Sequence, residues 1–216
     1  MRKKIVDRLP DNTVERLSKY RQILYKYQYM NEAHIHSSDL ARILDITPEQ
    51  VRRDLMLLGC TSTSKRKGYK ISEILKLIDL VIDPYEIINA VLIGINKIPD
   101  EFIHYFQREE SKINICAAFD LSARITEKFY LDIPCKSFHE FPQVISKHNV
   151  KLAVFCESGE YAEQIFDILI KHDVKAIMNL SSIHLNVPEG IYIEEVNLVS
   201  SFEKLAYRFK TDNFIF

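Results

Sequence analysis

Residues 47–59 read TPEQVRRDLMLLG and carry the start, the faces and the end of one short helix. Thr47 stands three positions before Gln50, which is the spacing of a capping box, and Pro48 occupies the first helical position. Gly59 supplies the left-handed residue that ends such a helix. The stretch therefore predicts a helix between the threonine and the glycine.

The apolar side chains of this helix recur at helical spacing and share one face. They are Val51, Leu55 and Leu58. Arg and Gln side chains hydrogen-bond guanine and adenine edges or phosphates, so the polar residues on the other faces of the helix are predicted to contact DNA. The predicted DNA-contacting residues are Gln50, Arg52 and Arg53. The alternative interpretation of Arg53 is a surface ion pair with an acid such as Glu49. The alternative interpretation of Asp54 is a helix-surface acid that positions the arginines.

A second short helix precedes this one. It begins near residues 37–38, and its inner face carries Leu40, Ile43 and Leu44. The turn at residues 45–46 joins it to the next helix. Two short helices joined by such a turn form a helix-turn-helix, whose second helix enters the major groove. A longer helix upstream is predicted to have Asn12 or Thr13 as its N-cap.

Residues 61–71, TSTSKRKGYKI, have the composition of a β-hairpin wing. Three consecutive cations precede Gly68, which can turn, and a tyrosine follows it. A wing of this kind lies over the phosphate backbone, where its cations release counterions. A solvated loop with incidental charge is the alternative interpretation. The contacts predicted for the wing are Lys65, Arg66, Lys67 and Tyr69.

The net charge of −1 over 216 residues is the sum of a basic amino-terminal part and an acidic carboxy-terminal part. Residues 1–80 carry 16 Lys and Arg against 10 Asp and Glu, whereas residues 81–216 carry 13 against 20. This asymmetry is typical of a basic nucleic-acid-binding part joined to an acidic one, although an uneven surface is the alternative. With 47% apolar residues, no membrane-length apolar run and no signal peptide, we expect a soluble cytoplasmic protein with no membrane partner.

Beyond Asp83-Pro84, the expected domain boundary, apolar strand-like runs alternate with helical stretches, which predicts a parallel sheet covered on both faces. The first half has the Rossmann layout of strand, glycine turn, helix and strand. Gly94 makes the turn and Asp120 ends the second strand, where an acid can hydrogen-bond a ribose hydroxyl. The predicted strands lie at residues 90–94, 113–120, 151–156, 174–179 and 190–196, and the predicted helices near 99–109, 139–148 and 159–172.

Short motifs from Thr13 to Phe209 resemble those of one family. They are TVERL at 13–17 with Tyr20, SS at 37–38, VRRD at 51–54, KGY at 67–69, VLIG at 91–94, AFD at 118–120, IMNL at 177–180 and LNVPE at 185–189. In their order and spacing the chain resembles the Rex family, bacterial redox-sensing transcriptional repressors that join a winged helix to an NAD(H)-binding Rossmann domain.

The resemblance implies a homodimer that binds double-stranded DNA at a palindromic operator and leaves it when NADH binds. It also implies a DNA contact at Ser38 and a last helix, residues 198–210, exchanged between subunits. The expected fold is α/β, with a winged helix-turn-helix domain, a Rossmann-like domain and a carboxy-terminal dimerisation helix. The expected domains are residues 1–82, 83–196 and 197–216.

The phosphate loop departs from the family pattern G-x-G-x-x-G. Residues 94–99 read GINKIP and keep only the first glycine, although the others allow close approach to the pyrophosphate and close helix packing. Further departures are Glu157 after a strand and Asn197, where the family tends to have an acid that takes part in its redox-linked rearrangement. We therefore expect NAD(H) binding to be severely weakened or lost. The candidate cofactor residues are Gly94, Asn96, Lys97 and Asp120.

The sequence thus predicts a DNA-binding transcriptional regulator, in keeping with a repressor, and not an enzyme. Nucleophile elbows, Walker loops and kinase motifs are absent from the sequence, and neither histidines nor the four cysteines have metal-ligand spacing. We expect the cysteines to be reduced, buried thiols. Alternatives are a repressor with working NADH sensing, a Rossmann-fold nucleotide- or CoA-binding protein or enzyme, and a scaffold whose Rossmann part only dimerises.

Overall fold

The computed structural model describes residues 9–60, 67–106, 112–120, 129–159 and 161–213. The chain divides into two units, Met1–Tyr85 and Glu86–Phe216. This division lies within three residues of the Asp83-Pro84 boundary, and it includes the carboxy-terminal helix in the second unit.

The amino-terminal unit is mostly helical, with one small antiparallel pair of strands. In chain order its elements are α1 (Asp11–Tyr29), β1 (His34–Ile35), α2 (Ser37–Leu44), α3 (Pro48–Leu57), β2 (Tyr69–Lys70) and α4 (Ile71–Ile82).

The start of α1 differs from the expectation. The helix begins at Asp11 after Pro10, which has no side-chain oxygen with which to cap it. Thr13 therefore lies inside the first turn, buried, and its hydroxyl accepts a hydrogen bond from the Arg16 guanidinium at 3.1 Å. The predicted N-caps Asn12 and Thr13 are wrong because both lie within the helix.

The ends of α3 largely follow the sequence. The Thr47 hydroxyl accepts a hydrogen bond from the backbone N–H of Gln50 at 3.2 Å, and Pro48 is the first helical residue. Only this half of the predicted capping box forms, since the Gln50 side chain turns to Asp54 instead. Gly59 adopts the left-handed conformation, with φ of +75°, and ends the helix as predicted.

One apolar core joins the helices of this unit, and it includes the predicted inner face of α3. Burial of the apolar side chains in this core supplies the main stabilisation of the amino-terminal unit. The fully buried side chains include Leu17, Tyr20, Leu24, Leu40, Val51, Leu55, Ile74 and Ile78.

The small sheet of this unit pairs β1 with β2, so that Ile35 lies opposite Tyr69. Gly68 leads into β2 with φ of +74°, and a Cβ there would lie only 2.5 Å from the Ile35 carbonyl oxygen. Only glycine fits this close approach. The wing prediction missed β1 as the partner strand. Residues 61–66 lie outside the described part of the chain, and the predicted contacts Lys65 and Arg66 are among them.

The carboxy-terminal unit is α/β, as predicted. Its strands are β3 (Ile88–Ile93), β4 (Ile113–Asp120), β5 (Phe129–Tyr130), β6 (Ile133–Ser137), β7 (Leu152–Phe155), β8 (Ala176–Asn179) and β9 (Tyr192–Glu195). Its α-helices are α5 (Asp100–Phe106), α6 (Phe141–His148), α7 (Ala162–Lys171) and α8 (Leu198–Asn213), with short 3₁₀ helices at Ile95–Lys97 and Phe138–Glu140.

The sheet has the strand order β5-β6-β4-β3-β7-β8-β9, and only the β5–β6 pair is antiparallel. From β6 to β9 this is the Rossmann order, in which the chain starts in the middle, runs to one edge and then returns to fill the other. The topological switch point lies between β3 and β7. The five strands predicted from the sequence are confirmed, whereas β5 and β6 were missed.

Buried side chains cover both faces of the sheet, as its apolar strands predict. Alternate residues of β3 enter different clusters, with Val91 on one face and Leu92 on the other. On the first face Phe119 meets Phe141 edge-to-face at 5.0 Å, an arrangement that aromatic rings prefer. This contact packs α6 against the carboxyl end of β4.

The last helix, α8, differs from the others because its apolar side chains lie in solvent. Its predicted range of 198–210 extends three residues further, to Asn213. The Asn197 side-chain oxygen accepts a hydrogen bond from the Ser200 backbone N–H at 2.9 Å and so caps the helix start. The exposed apolar residues of α8 are Leu198, Val199, Phe202, Leu205, Tyr207 and Phe209.

Candidate functional site

The outer face of α3 presents two exposed arginines. Arg52 donates a hydrogen bond to the Ser37 hydroxyl on α2 at 3.2 Å and also pairs with Glu49, so its guanidinium lies at the junction of the two helices. Arg53 is exposed one position further along. The ion pair considered for Arg53 and Glu49 is wrong, since Glu49 pairs with Arg52 instead.

The inner side of α3 carries a buried carboxylate. Asp54 is only 1% exposed, so the prediction that it is a helix-surface acid is wrong. Its oxygens accept hydrogen bonds from Arg16 at 2.7 and 2.8 Å, from the Tyr20 hydroxyl at 2.8 Å and from the Gln50 amide at 2.9 Å. Asp54 therefore joins α3 to α1 and holds Gln50, which is half-buried.

This network shifts the pKa of its members in opposite directions. Burial alone would raise the pKa of Asp54, but hydrogen bonds from Arg16, Tyr20 and Gln50 outweigh it and hold that pKa below its usual range. Burial, followed by the hydrogen bond to Asp54, raises the pKa of the Tyr20 hydroxyl. The network therefore stays an ionised carboxylate with a neutral phenol at neutral pH.

The other predicted DNA contacts differ in exposure. Ser38 at the start of α2 and Lys67 before β2 are exposed. Tyr69 is 8% exposed and packs in the core of the amino-terminal unit, which leaves its ring little surface for a ligand. The buried Arg16–Asp54 network was missed as a unit, although the spacing of Arg16 and Tyr20, one helical turn apart, offered a signal.

In the carboxy-terminal unit, the carboxyl ends of β3 and β7 meet at the topological switch point. Gly94 follows β3 with φ of +79°, and its N–H donates to the Phe119 carbonyl at 2.8 Å. A Cβ on Gly94 would lie 2.8 Å from the Cys156 carbonyl oxygen and 3.0 Å from the Glu157 carboxylate. Position 94 therefore needs a glycine, because the residues that follow β7 approach its Cα too closely for a side chain.

Of the two other candidate residues in the loop, Lys97 contacts the same neighbouring segment. Asn96 is exposed, and the Lys97 ammonium pairs with Glu157 at 2.5 Å. The Cys156 thiol donates a weak hydrogen bond to the Lys97 carbonyl at 3.6 Å, and burial raises the pKa of that thiol. The Glu157 side chain is 6% exposed, so its carboxylate fills the crevice beside the glycine.

Asp120 ends β4, next to Gly94 across the parallel pair, and it is half-buried opposite Ser137 of β6. The structure thus brings Gly94, Lys97 and Asp120 to one edge of the sheet, as a dinucleotide site requires. A pyrophosphate fits this edge poorly, because the Glu157 carboxylate lies beside Gly94 and pairs with Lys97, so that an anion there would meet a negative charge.

In the described part of the chain, clusters of three or more His, Cys, Asp or Glu able to hold a metal ion do not occur. Helices long and apolar enough to cross a membrane do not occur there either. The four cysteines, all in the described part of the chain, are thiols outside any disulfide, and Cys60 is the fully buried one.

Two family models match the chain, one in each unit. Residues 8–55 match the family described as "Putative DNA-binding protein N-terminus". Residues 86–183 match the family described as "CoA binding domain". The first match spans α1 to α3, and the second spans the sheet from β3 to β8.

Curated relatives match over nearly the whole chain. The redox-sensing transcriptional repressor Rex 2 of Thermotoga maritima is 27% identical over 202 residues, which are 94% of this chain and 97% of the relative. The redox-sensing transcriptional repressor Rex of Desulforamulus reducens is 24% identical over 200 residues, 93% of this chain and 95% of the relative.

The fold is shared with solved structures of RSP, described as a Rex-family repressor. One such structure has a TM-score of 0.82 at 22% identity and covers 96% of this chain and 97% of the other. RSP in complex with β-NAD⁺ and operator DNA has the same TM-score and identity, over 94% of each chain. Over more than nine tenths of its length the chain is thus similar to Rex repressors, in sequence at 24–27% identity and in fold.

Proposed function

We propose that this protein is a DNA-binding transcriptional repressor of the cytoplasm and not an enzyme. The observation that carries the proposal is the α2–α3 helix-turn-helix, whose outer face presents Arg52 and Arg53 while its inner face is packed. The relatives named above are transcriptional repressors, and one neighbour was solved with operator DNA.

We propose the following roles for these residues on DNA. α3 enters the major groove, where Arg53 meets base edges or phosphates and Arg52 is held in place by Ser37. Asp54 fixes the depth of α3 through Arg16 of α1. Ser38 and the wing cations at 65–67 contact the flanking phosphates.

Replacing both arginines tests this proposal. We expect Arg52→Ala with Arg53→Ala to weaken operator binding at least about tenfold at fixed salt, since each such contact contributes about 1–3 kcal/mol. The operator is first selected from a random DNA pool and then titrated by fluorescence anisotropy. Lys171→Ala, an exposed cation on α7, is the matched control and should leave the affinity unchanged. Unaltered binding by the double variant would contradict the assignment.

We also propose that the protein is a homodimer on a palindromic operator. The exposed apolar side chains of α8 support this proposal, because stripes of large apolar residues in solvent mark interfaces. A two-fold dimer presents two copies of α3 to two half-sites. Exchange of α8 between subunits would bury this stripe against the partner.

NAD(H) binding is proposed to be severely weakened or lost. RSP has been solved with β-NADH and with β-NAD⁺, but the Glu157 carboxylate and the missing glycines disfavour a pyrophosphate here. CoA also carries a pyrophosphate, so the same objection applies to the ligand that the second family model names. The alternative is a repressor whose NADH sensing still works.

Titration with NADH separates these alternatives. We expect calorimetry on the purified protein to give a dissociation constant weaker than about 1 μM, because loss of preorganised N–H donors and a nearby carboxylate both oppose an anion. NADH fluorescence provides a second signal, since the chain has no tryptophan. A micromolar or tighter constant would contradict the proposal and establish a working redox sensor.

A further inference from the structure

The crevice at the switch point is closed by contacts within the chain itself. Lys97, at the end of the 3₁₀ turn after β3, reaches across to Glu157, which follows β7. Glu157 is 4% exposed, whereas the Lys97 side chain is 40% exposed, so the carboxylate lies inside and the ammonium at the mouth. The ion pair therefore spans the two strands between which Rossmann ligands bind.

The carboxylate lies beside the glycine turn after β3, the turn at which Rossmann folds bind a pyrophosphate. One Glu157 oxygen lies 3.0 Å from where a Gly94 Cβ would be, and the other accepts from Lys97 at 2.5 Å. A carboxylate and a phosphate are both anions that accept hydrogen bonds from the same donors. Glu157 thus has the negative charge of a ligand phosphate, and it pairs with the cation nearest to the glycine turn.

From this geometry we infer that Glu157 acts as an internal anion. Its carboxylate excludes dinucleotide phosphates from the crevice and forms with Lys97 the ion pair that a phosphate would otherwise form. The inference rests on the proposed function only in that a dinucleotide is the expected ligand of this fold. It makes Glu157 the residue that sets ligand specificity, and it makes Lys97 a latent phosphate-binding residue.

Two consequences distinguish this inference from a simple loss of the phosphate-loop glycines. If the missing glycines alone weakened phosphate binding, binding would stay weak whichever residue occupied position 157. An internal anion predicts instead that removing the Glu157 charge lets phosphates in, because repulsion ends and Lys97 becomes available. The gain should depend on Lys97.

The experiment titrates DNA-free protein with NADH and with ADP by calorimetry, at fixed salt. We expect Glu157→Ala to tighten the dissociation constant of both probes at least about tenfold relative to the wild type. Glu157→Gln keeps the side-chain volume and should give a smaller gain in the same direction. Adding Lys97→Met to Glu157→Ala should abolish the gain.

Asp173→Asn is the matched control. It weakens the ion pair of Asp173 with Lys151, 2.5 Å long, at the amino edge of the same sheet, and should leave both titrations unchanged. Thermal unfolding confirms that each variant is folded. The inference is overturned if neither Glu157 variant binds more tightly than the wild type, or if the gain persists without Lys97. Because DNA is absent, these outcomes do not depend on whether the protein binds an operator.

Discussion

Asp54→Ala is expected to lower the free energy of unfolding of the amino-terminal unit by about 3–5 kcal/mol, the cost of breaking a buried ion pair from one side. The carboxylate is 1% exposed and accepts four hydrogen bonds, two of them from Arg16. Its removal leaves the Arg16 guanidinium and the buried Tyr20 hydroxyl without this acceptor. Urea unfolding followed by circular dichroism measures the change.

The same group predicts a pH dependence. Because hydrogen bonds hold the folded pKa of Asp54 below its usual range, its contribution is fully present above the unfolded pKa of about 3.9. The contribution is lost as the pH falls through the lower folded pKa. Wild-type stability should therefore decline below about pH 4 more steeply than that of Asp54→Asn, which has no carboxylate to protonate.

Glu15→Gln serves as the control for Asp54. Glu15 pairs with Lys19 on the surface of α1 at 2.6 Å, and both side chains are at least half exposed. Exposed pairs of this kind contribute about 0–1 kcal/mol. If both variants lost the same small amount of stability, Asp54 would not be the structural link between α1 and α3.

The sequence predicted most elements where local signals agree. Thr47, Pro48 and Gly59 place both ends of α3, and the apolar run 113–120 places β4 at its observed bounds. In these segments capping chemistry and apolar patterning point to the same structure. The parallel sheet followed from strands alternating with helices, although its strand order was seen only in the structure.

The sequence did not predict contacts that depend on distant partners. The two-residue strands β1 and β5 are too short to have a period, and Ile35 of β1 pairs with Tyr69, 34 positions further along. Asp54 resembled a surface acid because its partner Arg16 lies 38 residues away. The sequence predicts that Glu157 follows a strand, but its pairing with Lys97 depends on the order of β3 and β7 in the sheet.

Acidic substitutions in α8 test the proposed dimer. Leu198, Phe202, Leu205 and Phe209 follow each other at spacings of four, three and four residues, which places them on one stripe of the helix. Phe202 and Leu205, at its centre, are 71% and 61% exposed. Large apolar side chains this exposed are stabilised only when a partner covers them.

We expect Phe202→Asp with Leu205→Asp to convert the dimer into a monomer, because two buried carboxylates in a symmetric interface would each lie near their own copies. Light scattering should give a mass near that of one 25.3 kDa chain, against twice that mass for the wild type.

Affinity for a palindromic operator should fall about a hundredfold or more, since avidity between two half-sites is lost. Affinity for a single half-site should stay the same, because the helix-turn-helix lies in the other unit. Lys204→Asp, placed about 200° around the helix from Phe202, should remain a dimer. A dimeric double variant would mean that another surface joins the subunits.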